Sequence, residues 1–136
     1  MKAQGKYTVG KWEEAPYHQI SETSKLTRAS VAYQFTGEIE GAGYVEYLMF
    51  YSHFDPKDQH KSAAVYVGLI RFEGKLRDKT GSFVLQDQGS FSAGAAVSTL
   101  KIMEGSGTGA LGGIAGTGSY RADKNGFFID LEYELS

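Results

Sequence analysis

The segment GFFIDLEYEL, residues 126–135, alternates between two kinds of side chain along its whole length. Its odd-numbered positions are all apolar or aromatic, and three of the intervening positions, Asp130, Glu132 and Glu134, are carboxylates. Because successive side chains of a strand point to opposite faces of a sheet, this pattern predicts a strand with one buried face and one acidic face.

The N-terminal residues 2–9, KAQGKYTV, alternate in the same way but carry basic side chains on the polar face. Lys2 and Lys6 lie on that face, and Ala3 and Tyr7 lie on the other. Antiparallel pairing of the two segments would set both lysines across from carboxylates and would leave neither terminal strand as an exposed edge. We therefore predict that the first and last strands pair and close the sheet.

Alternation and turn residues divide the whole chain into eight strands, and no segment has the periodicity of an amphipathic helix. The predicted strands are residues 2–13, 27–38, 43–54, 63–75, 81–91, 95–103, 116–121 and 126–135. The chain has 18 glycines and only two prolines, a composition that suits strands with frequent turns and bulges. The predicted fold is all-β: a closed eight-stranded antiparallel meander β-barrel in a single domain, residues 1–136.

Composition excludes several classes of function. The chain has no cysteine, which removes disulfides and thiolate chemistry and favours a cytoplasmic location. Its formal net charge of -2 leaves no basic excess for a nucleic-acid partner. Since no apolar run is long enough to span a bilayer and the N-terminus lacks the apolar core of a secretory signal, we expect no membrane association and no export.

Hairpin arithmetic predicts a belt of polar side chains across the middle strands. It sets Glu46 opposite Gln34 and Arg71, and Gln86 opposite Arg71 and Thr99. In one interpretation Glu46 is a catalytic acid or base, and Arg71 and Gln86 orient a carbonyl or carboxylate of a ligand. In the alternative interpretation, the belt faces outward and is a ladder of complementary cross-strand surface charges.

The opposite face of the same strands is apolar and continuous, which predicts the interior of the barrel. An eight-stranded barrel has an interior that side chains just fill or that holds one small ligand. The face is rich in tyrosine, including Tyr33, Tyr47 and Tyr66, and a dry core seldom satisfies so many hydroxyls. These tyrosines are therefore predicted ligand contacts. The belt side also carries apolar residues, which predicts a homo-oligomer.

Two local motifs resemble cofactor sites. Residues 107–112, GTGALG, match the spacing of a dinucleotide-binding loop, but the glycine-rich continuation cannot form the required helix, so a tight crossover is predicted instead. The loop HFDPKDQH, residues 53–60, holds two histidines and two aspartates in a spacing that matches no metal-ligand frame, and a polar loop is the alternative. We predict no cofactor and no metal.

Several runs resemble a family of small bacterial proteins of unknown function: LTRASVAYQFTGEIEGAGYVEYLMFY, VYVGLIRFEGKL, TGSFVLQDQGSF and GSGTGALGGIAGTGSY, within residues 26–120. That family is similar in fold to allene oxide cyclase and, more distantly, to dirigent proteins. The resemblance implies an eight-stranded barrel that assembles into oligomers. No residue of the cyclases carries over except the glycine-rich turn, so cyclase chemistry is an analogy of fold.

Three hypotheses of function follow. The first is a barrel that binds a small apolar or aromatic molecule in its lumen. The second is an isomerase or cyclase that uses Glu46 or a lumen tyrosine for proton transfer, with Arg71 holding the charge. The third is a structural, oligomer-forming barrel without a ligand. The sequence does not decide whether the protein is an enzyme.

Overall fold

The structure, a computed structural model, describes residues 1–135, and these form nine antiparallel strands and one short 3₁₀ turn, Gln59–Lys61. The strands are β1 Lys2–Gln19, β2 Lys25–Gly37, β3 Ile39–His53, β4 Ala63–Leu76, β5 Lys79–Ser92, β6 Ala95–Ile102, β7 Thr108–Gly109, β8 Ala115–Asp123 and β9 Gly126–Glu134. None of the helical structure in this part of the chain is long and apolar enough to cross a membrane.

Eight of the strands form a closed ring. Each strand from β1 to β5 pairs with the next, β6 pairs with β8, β8 with β9, and β9 with β1. The predicted closure is therefore confirmed, and Lys2 lies opposite Glu132. Lys6 lies opposite Phe128 instead of a carboxylate, because the acidic alternation of β9 begins only at Asp130.

Strand β1 is longer than predicted and continues through Pro16. Proline ends most strands because it cannot donate a hydrogen bond to a neighbour. The pairing of β1 with β9 stops at Lys6, so the later part of β1 keeps β2 as its partner and has its other edge free. Pro16 is tolerated at this free edge, which lies beside the open end of the ring.

The opposite end of the ring is filled by the apolar core. The Phe72 and Phe83 rings are in contact, with centroids 5.0 Å apart and planes tilted by 37°, and both side chains are fully buried. Leu111 and Ile114, from the glycine-rich segment after β6, are buried in the same core. The predicted crossover is thus an apolar plug, and β7 within it pairs with the start of β5.

The inward-facing residues of the strands are those that the alternation predicts. The predicted strand registers, however, are wrong. Glu46 pairs with Ser30 and Leu69, not with Gln34 and Arg71. Gln86 pairs with Leu69 and Lys101, not with Arg71 and Thr99. Each shift is an even number of residues, and an even shift keeps every side chain on its face while changing its neighbours.

Candidate functional site

The open end of the ring contains a cavity of about 520 Å³. Its walls are mostly aromatic and come from all sides of the ring: Tyr7, Trp12, Tyr33, Tyr47, Tyr51, Phe54, Tyr66, Phe91, Tyr120 and Phe127. Volumes between about 300 and 1,000 Å³ are typical of sites for small organic molecules. The described part of the protein therefore has room for one such molecule inside the ring.

Small inward-facing residues create this space. Ala64 on β4, Ala96 on β6 and Ala122 on β8 all line the cavity, and Ala96 and Ala122 are direct cross-strand partners. At the plugged end the inward positions of β4 and β5 hold Phe72 and Phe83 instead. Small side chains therefore leave the open end unfilled, whereas large side chains and the plug fill the other end.

At the bottom of the cavity, polar side chains form a cluster inside the ring. We call it the Asp87 cluster, and it consists of Asp87, Tyr33, Tyr47, Tyr66, Ser98 and Tyr120. Each of these residues is buried. They are inward-facing residues of six strands that follow one another around the ring, β2, β3, β4, β5, β6 and β8.

The cluster is held together by short hydrogen bonds. The Tyr47 hydroxyl donates to Asp87 Oδ2 at 2.6 Å and lies 3.0 Å from the Tyr33 hydroxyl and 3.2 Å from that of Tyr120. Tyr120 donates to the Tyr66 hydroxyl at 2.9 Å, and Tyr66 lies 2.7 Å from Ser98 Oγ. The network thus connects the carboxylate to four phenols that line the cavity.

Asp87 is the most unusual residue of the site. Its side chain is 0% exposed, and Oδ1 has no hydrogen-bond partner among residues 1–135. Burial raises the pKa of Asp87 to about 6, although Tyr47, Ser98 and Tyr120 pull that pKa down. The five ion pairs of the described residues all lie elsewhere, so the carboxylate has no cationic side chain beside it. Groups with this combination of burial and perturbed pKa are enriched at functional sites.

The phenols around Asp87 stay protonated at physiological pH. Burial is the main reason that the pKa values of Tyr33, Tyr47, Tyr66 and Tyr120 lie above their ordinary value. The negative charge of Asp87 raises them further, because a second negative charge close by is unfavourable. The site therefore offers neutral hydroxyls over one carboxyl group.

A second carboxylate lies higher in the cavity wall. Glu14 accepts hydrogen bonds from Thr27 Oγ1 at 2.6 Å and from Trp12 Nε1 at 2.9 Å. Burial, followed by the nearby Glu14 charge, raises the pKa of Tyr51. These contacts hold Glu14 and the Trp12 ring in place at the wall, where both contact the cavity.

The structure brings together half of the predicted site residues. Tyr33, Tyr47 and Tyr66 line the cavity. Glu46, Arg71 and Gln86 lie on the outer face of the ring, and their role in binding a ligand stays a prediction.

On that outer face the belt residues have separate partners. Glu46 forms an ion pair with Arg28 at 2.8 Å, and Arg71 pairs with Glu73 at 2.9 Å. Hydrogen bonds from Ser30 and Arg28 hold the pKa of Glu46 below its ordinary value. Glu46 and Gln86 line a shallow groove with Leu48, Val67 and Leu69.

Sequence reasoning missed Asp87, Ser98 and Tyr120. A signal for Asp87 exists, because Phe83, Leu85 and Asp87 occupy successive inward positions of β5. A carboxylate that interrupts an apolar alternation is rarely buried without a reason.

The histidine-containing loop before β4 uses its carboxylates locally. Asp55 accepts hydrogen bonds from the backbone N–H groups of Lys57 and Asp58, and Asp58 accepts one from the backbone N–H of His60. Within residues 1–135, no three side chains of the types that bind metals converge on one point.

Comparison with known proteins places the chain among proteins of the same architecture. The profile of a protein family of unknown function, DUF3224, matches residues 3–133. The chain belongs to the DUF3224 family. No curated protein matches it.

A solved structure of another DUF3224 protein, from Shewanella oneidensis MR-1, is similar along the whole chain. The two sequences are 27% identical, and the structures superimpose with a TM-score of 0.80 over 100% of this chain and 98% of the other. That protein is also described as having unknown function. The resemblance to an uncharacterised bacterial family is thus confirmed, and the function of this DUF3224 protein has to be argued from its site.

Proposed function

We propose that this protein binds one small apolar or aromatic molecule in the cavity at the open end of the ring. The observation that carries the proposal is the cavity itself, about 520 Å³ in volume and lined mainly by aromatic rings. Apolar walls with a few convergent polar groups are typical of small-molecule sites. Here the convergent polar groups are the hydroxyls of the Asp87 cluster.

The single tryptophan of the chain provides a direct readout. Trp12 lines the cavity, and its side chain is 45% exposed without a ligand. A neutral aromatic molecule that enters the cavity would exclude water from this ring. We expect a saturable shift or quenching of the Trp12 fluorescence on titration with N-phenyl-1-naphthylamine.

Filling the cavity with protein should abolish this signal. Ala96→Phe places a phenyl ring in the cavity, whereas Val97→Phe places the same ring on the outer face one residue away. We expect Ala96→Phe to weaken binding of N-phenyl-1-naphthylamine at least about tenfold and Val97→Phe to leave it within about twofold. Equal affinity of the two variants, with folding checked by circular dichroism, would place the ligand elsewhere.

We also propose that the ring is a barrel of the allene oxide cyclase type. Its eight antiparallel strands, paired in chain order with one plugged end, support this kinship. An isomerase or cyclase remains the alternative function, with proton transfer assigned to Tyr47 and Asp87 instead of Glu46. The bond of 2.6 Å between Tyr47 and a carboxyl group of pKa about 6 favours that pair. Chemical conversion of the bound molecule, detected by mass spectrometry, would support the alternative.

We further propose that the protein associates with itself through the outer face of β3 and β4. We call this surface the outer apolar stripe, and it consists of Leu48, Phe50, Val65, Val67 and Leu69. All five are exposed, and Leu48 and Phe50 lie directly across from Val67 and Val65. The Arg28–Glu46 pair at its border offers both signs of charge to a second copy.

Light scattering after size-exclusion chromatography tests this association. We expect the wild-type protein to elute as a multiple of its 14.8 kDa mass and Val67→Lys to elute as the monomer. Thr8→Lys, an exposed change on β1, should leave the assembly intact. A monomeric wild-type protein would end this proposal without affecting ligand binding.

A further inference from the structure

We propose that the ligand of the cavity is a lipophilic amine, which binds with its protonated nitrogen against the hydroxyl oxygens of the Asp87 cluster and its apolar body among the aromatic walls. This inference rests on the proposed ligand-binding function and adds the chemical class of the ligand. Three features of the site support it: the use of the hydroxyl protons, the charge of the lining and the aromatic surface.

The protons of the cluster are already used inside the protein. A phenol has one proton, and Tyr47 gives its proton to Asp87. Tyr33 must therefore be the donor in its contact with Tyr47. Tyr120 has one proton for two contacts, with the Tyr66 hydroxyl at 2.9 Å and the Tyr47 hydroxyl at 3.2 Å, and the shorter contact takes it. Tyr66 lies within hydrogen-bond distance of Ser98 Oγ and of the Val97 carbonyl oxygen, so its proton also has a partner in the protein.

Such a cluster presents oxygen lone pairs to a ligand. A phenol that donates to a carboxylate becomes a stronger acceptor, because each hydrogen bond polarises the next one in the chain. The group that meets Tyr47 and its neighbours should therefore be a donor. An ammonium group has three donors and no acceptor, and it matches this arrangement better than a carbonyl or a carboxylate.

The charges at the cavity also favour a cationic ligand. The charged residues that line it are Glu14 and Asp123, and Asp87 lies one hydrogen bond behind Tyr47. No lysine, arginine or histidine is among the lining residues of the described chain. Three basic side chains lie near the lining. The His60 ring lies against Gly94, and the other two are engaged. Arg121 binds Asp123 at 3.2 Å, and the Lys25 ammonium lies 3.6 Å from the centre of the Phe54 ring, outside the lining.

Asp87 also lacks the counter-charge that a buried carboxylate needs. Its Oδ1 has no hydrogen-bond partner, and no ion pair of the described residues includes it. A buried charge of this kind is costly unless a charge of opposite sign is near. A bound ammonium would supply that charge through the Tyr47 hydroxyl, and a bound carboxylate would add repulsion.

The aromatic walls complete the match. The faces of Tyr, Trp and Phe rings attract a cation within about 6 Å of the ring centre, and this attraction grows when water is excluded. The same rings bury an apolar body by the hydrophobic effect. The protein already makes such a contact at the cavity mouth, where the Lys25 ammonium lies over the Phe54 and Tyr51 rings.

Three probes of equal shape separate the possible classes of ligand. 4-Phenylbutylamine, 4-phenylbutan-1-ol and 5-phenylpentanoate carry a cation, a neutral hydroxyl and an anion on the same phenylbutyl body. In calorimetric titrations at neutral pH and low salt, we expect the amine to bind at least about tenfold more tightly than the alcohol. We expect the carboxylate to bind most weakly.

Two pairs of variants test where the preference arises. In Asp87→Asn, the affinity for the amine should be within about threefold of the affinity for the alcohol. Asp130→Asn, a change on the outer face of β9, should keep the wild-type ratio of the two affinities. Tyr47→Phe should weaken the amine about tenfold, and Tyr44→Phe, an exposed tyrosine of the same strand, should not.

The outcomes are distinguishable. If the alcohol or the carboxylate binds as tightly as the amine, or if Asp87→Asn retains the full preference, the amine inference is wrong and the cavity still binds small molecules. If none of the three probes and no neutral aromatic molecule binds, the proposed function fails and the inference fails with it.

Discussion

We expect the unfolding free energy of Asp87→Asn, relative to that of the wild-type protein, to increase by roughly 3 kcal/mol as the pH rises from about 4 to about 7. Burial raises the pKa of Asp87 from 3.8 to about 6 in the folded protein. Between these two values the folded state binds more protons at this position than the unfolded state does. Stability of the wild-type protein therefore falls with rising pH across that window.

Asparagine removes this dependence because it does not titrate. Its side chain has nearly the shape of the protonated carboxyl group and still offers an oxygen to the Tyr47 hydroxyl. The measurement is urea denaturation of both proteins at several pH values, with the difference in unfolding free energy plotted against pH. Asp130→Asn, a change at an exposed carboxylate, is the control and should show a flat difference. A flat difference for Asp87→Asn would mean that Asp87 has an ordinary pKa in the folded protein.

Replacing Gly74 with alanine is expected to lower the free energy of unfolding by roughly 2 to 4 kcal/mol. Gly74 on β4 lies directly opposite Gly41 on β3, and their φ angles are 156° and 146°. A Cβ atom added to Gly74 would lie 2.0 Å from the Glu40 carbonyl oxygen and 2.8 Å from the Gly41 Cα. Both contacts are with backbone, so they can be relieved only by separating the two strands.

Gly10→Ala is the matched control for this change. Gly10 also lies in a strand, but the nearest atom to an added Cβ is the Ala32 carbonyl oxygen at 3.8 Å, an ordinary contact. We expect its unfolding free energy to stay within about 1 kcal/mol of the wild-type value. Comparable denaturation midpoints for Gly74→Ala and Gly10→Ala would show that β3 and β4 separate easily at this position.

The buried charge of Asp87 also bears on function. The ionised Asp87 side chain lowers stability at neutral pH. In a purely structural core such a residue would be replaced, because substitutions that raise stability are easy to find. In the site proposed here the same charge provides the binding preference for a cation. Asp87→Asn should therefore gain stability and lose ligand selectivity, and the two effects can be measured on one variant.

Much of the fold could be predicted from local patterns. Alternation in residues 126–135 and 2–9 predicts the closing strand pair, and the structure confirms it with Lys2 opposite Glu132. The inward positions of Tyr33, Tyr47 and Tyr66 follow from the same period of two. The predicted end of β1 was wrong because the free strand edge that tolerates Pro16 exists only in the assembled ring.

The site itself depended on distances between strands. The sequence predicts Glu46 and Arg71 as partners, yet an even shift of register gives each a different partner while both stay on the outer face. Asp87 and Tyr120 come from strands that are not neighbours in sequence, and their meeting with Tyr47 across the ring has no local signal.

By itself, the amino-acid sequence determined the eight strands of the ring, the face to which their side chains point and the closure of the sheet, because alternation and turn chemistry act over a few residues. Only the tertiary structure decided the registers, the plugged and open ends and the grouping of four phenols around one carboxylate. Those features depend on how side chains of distant strands fill a shared interior, and no local period encodes that volume.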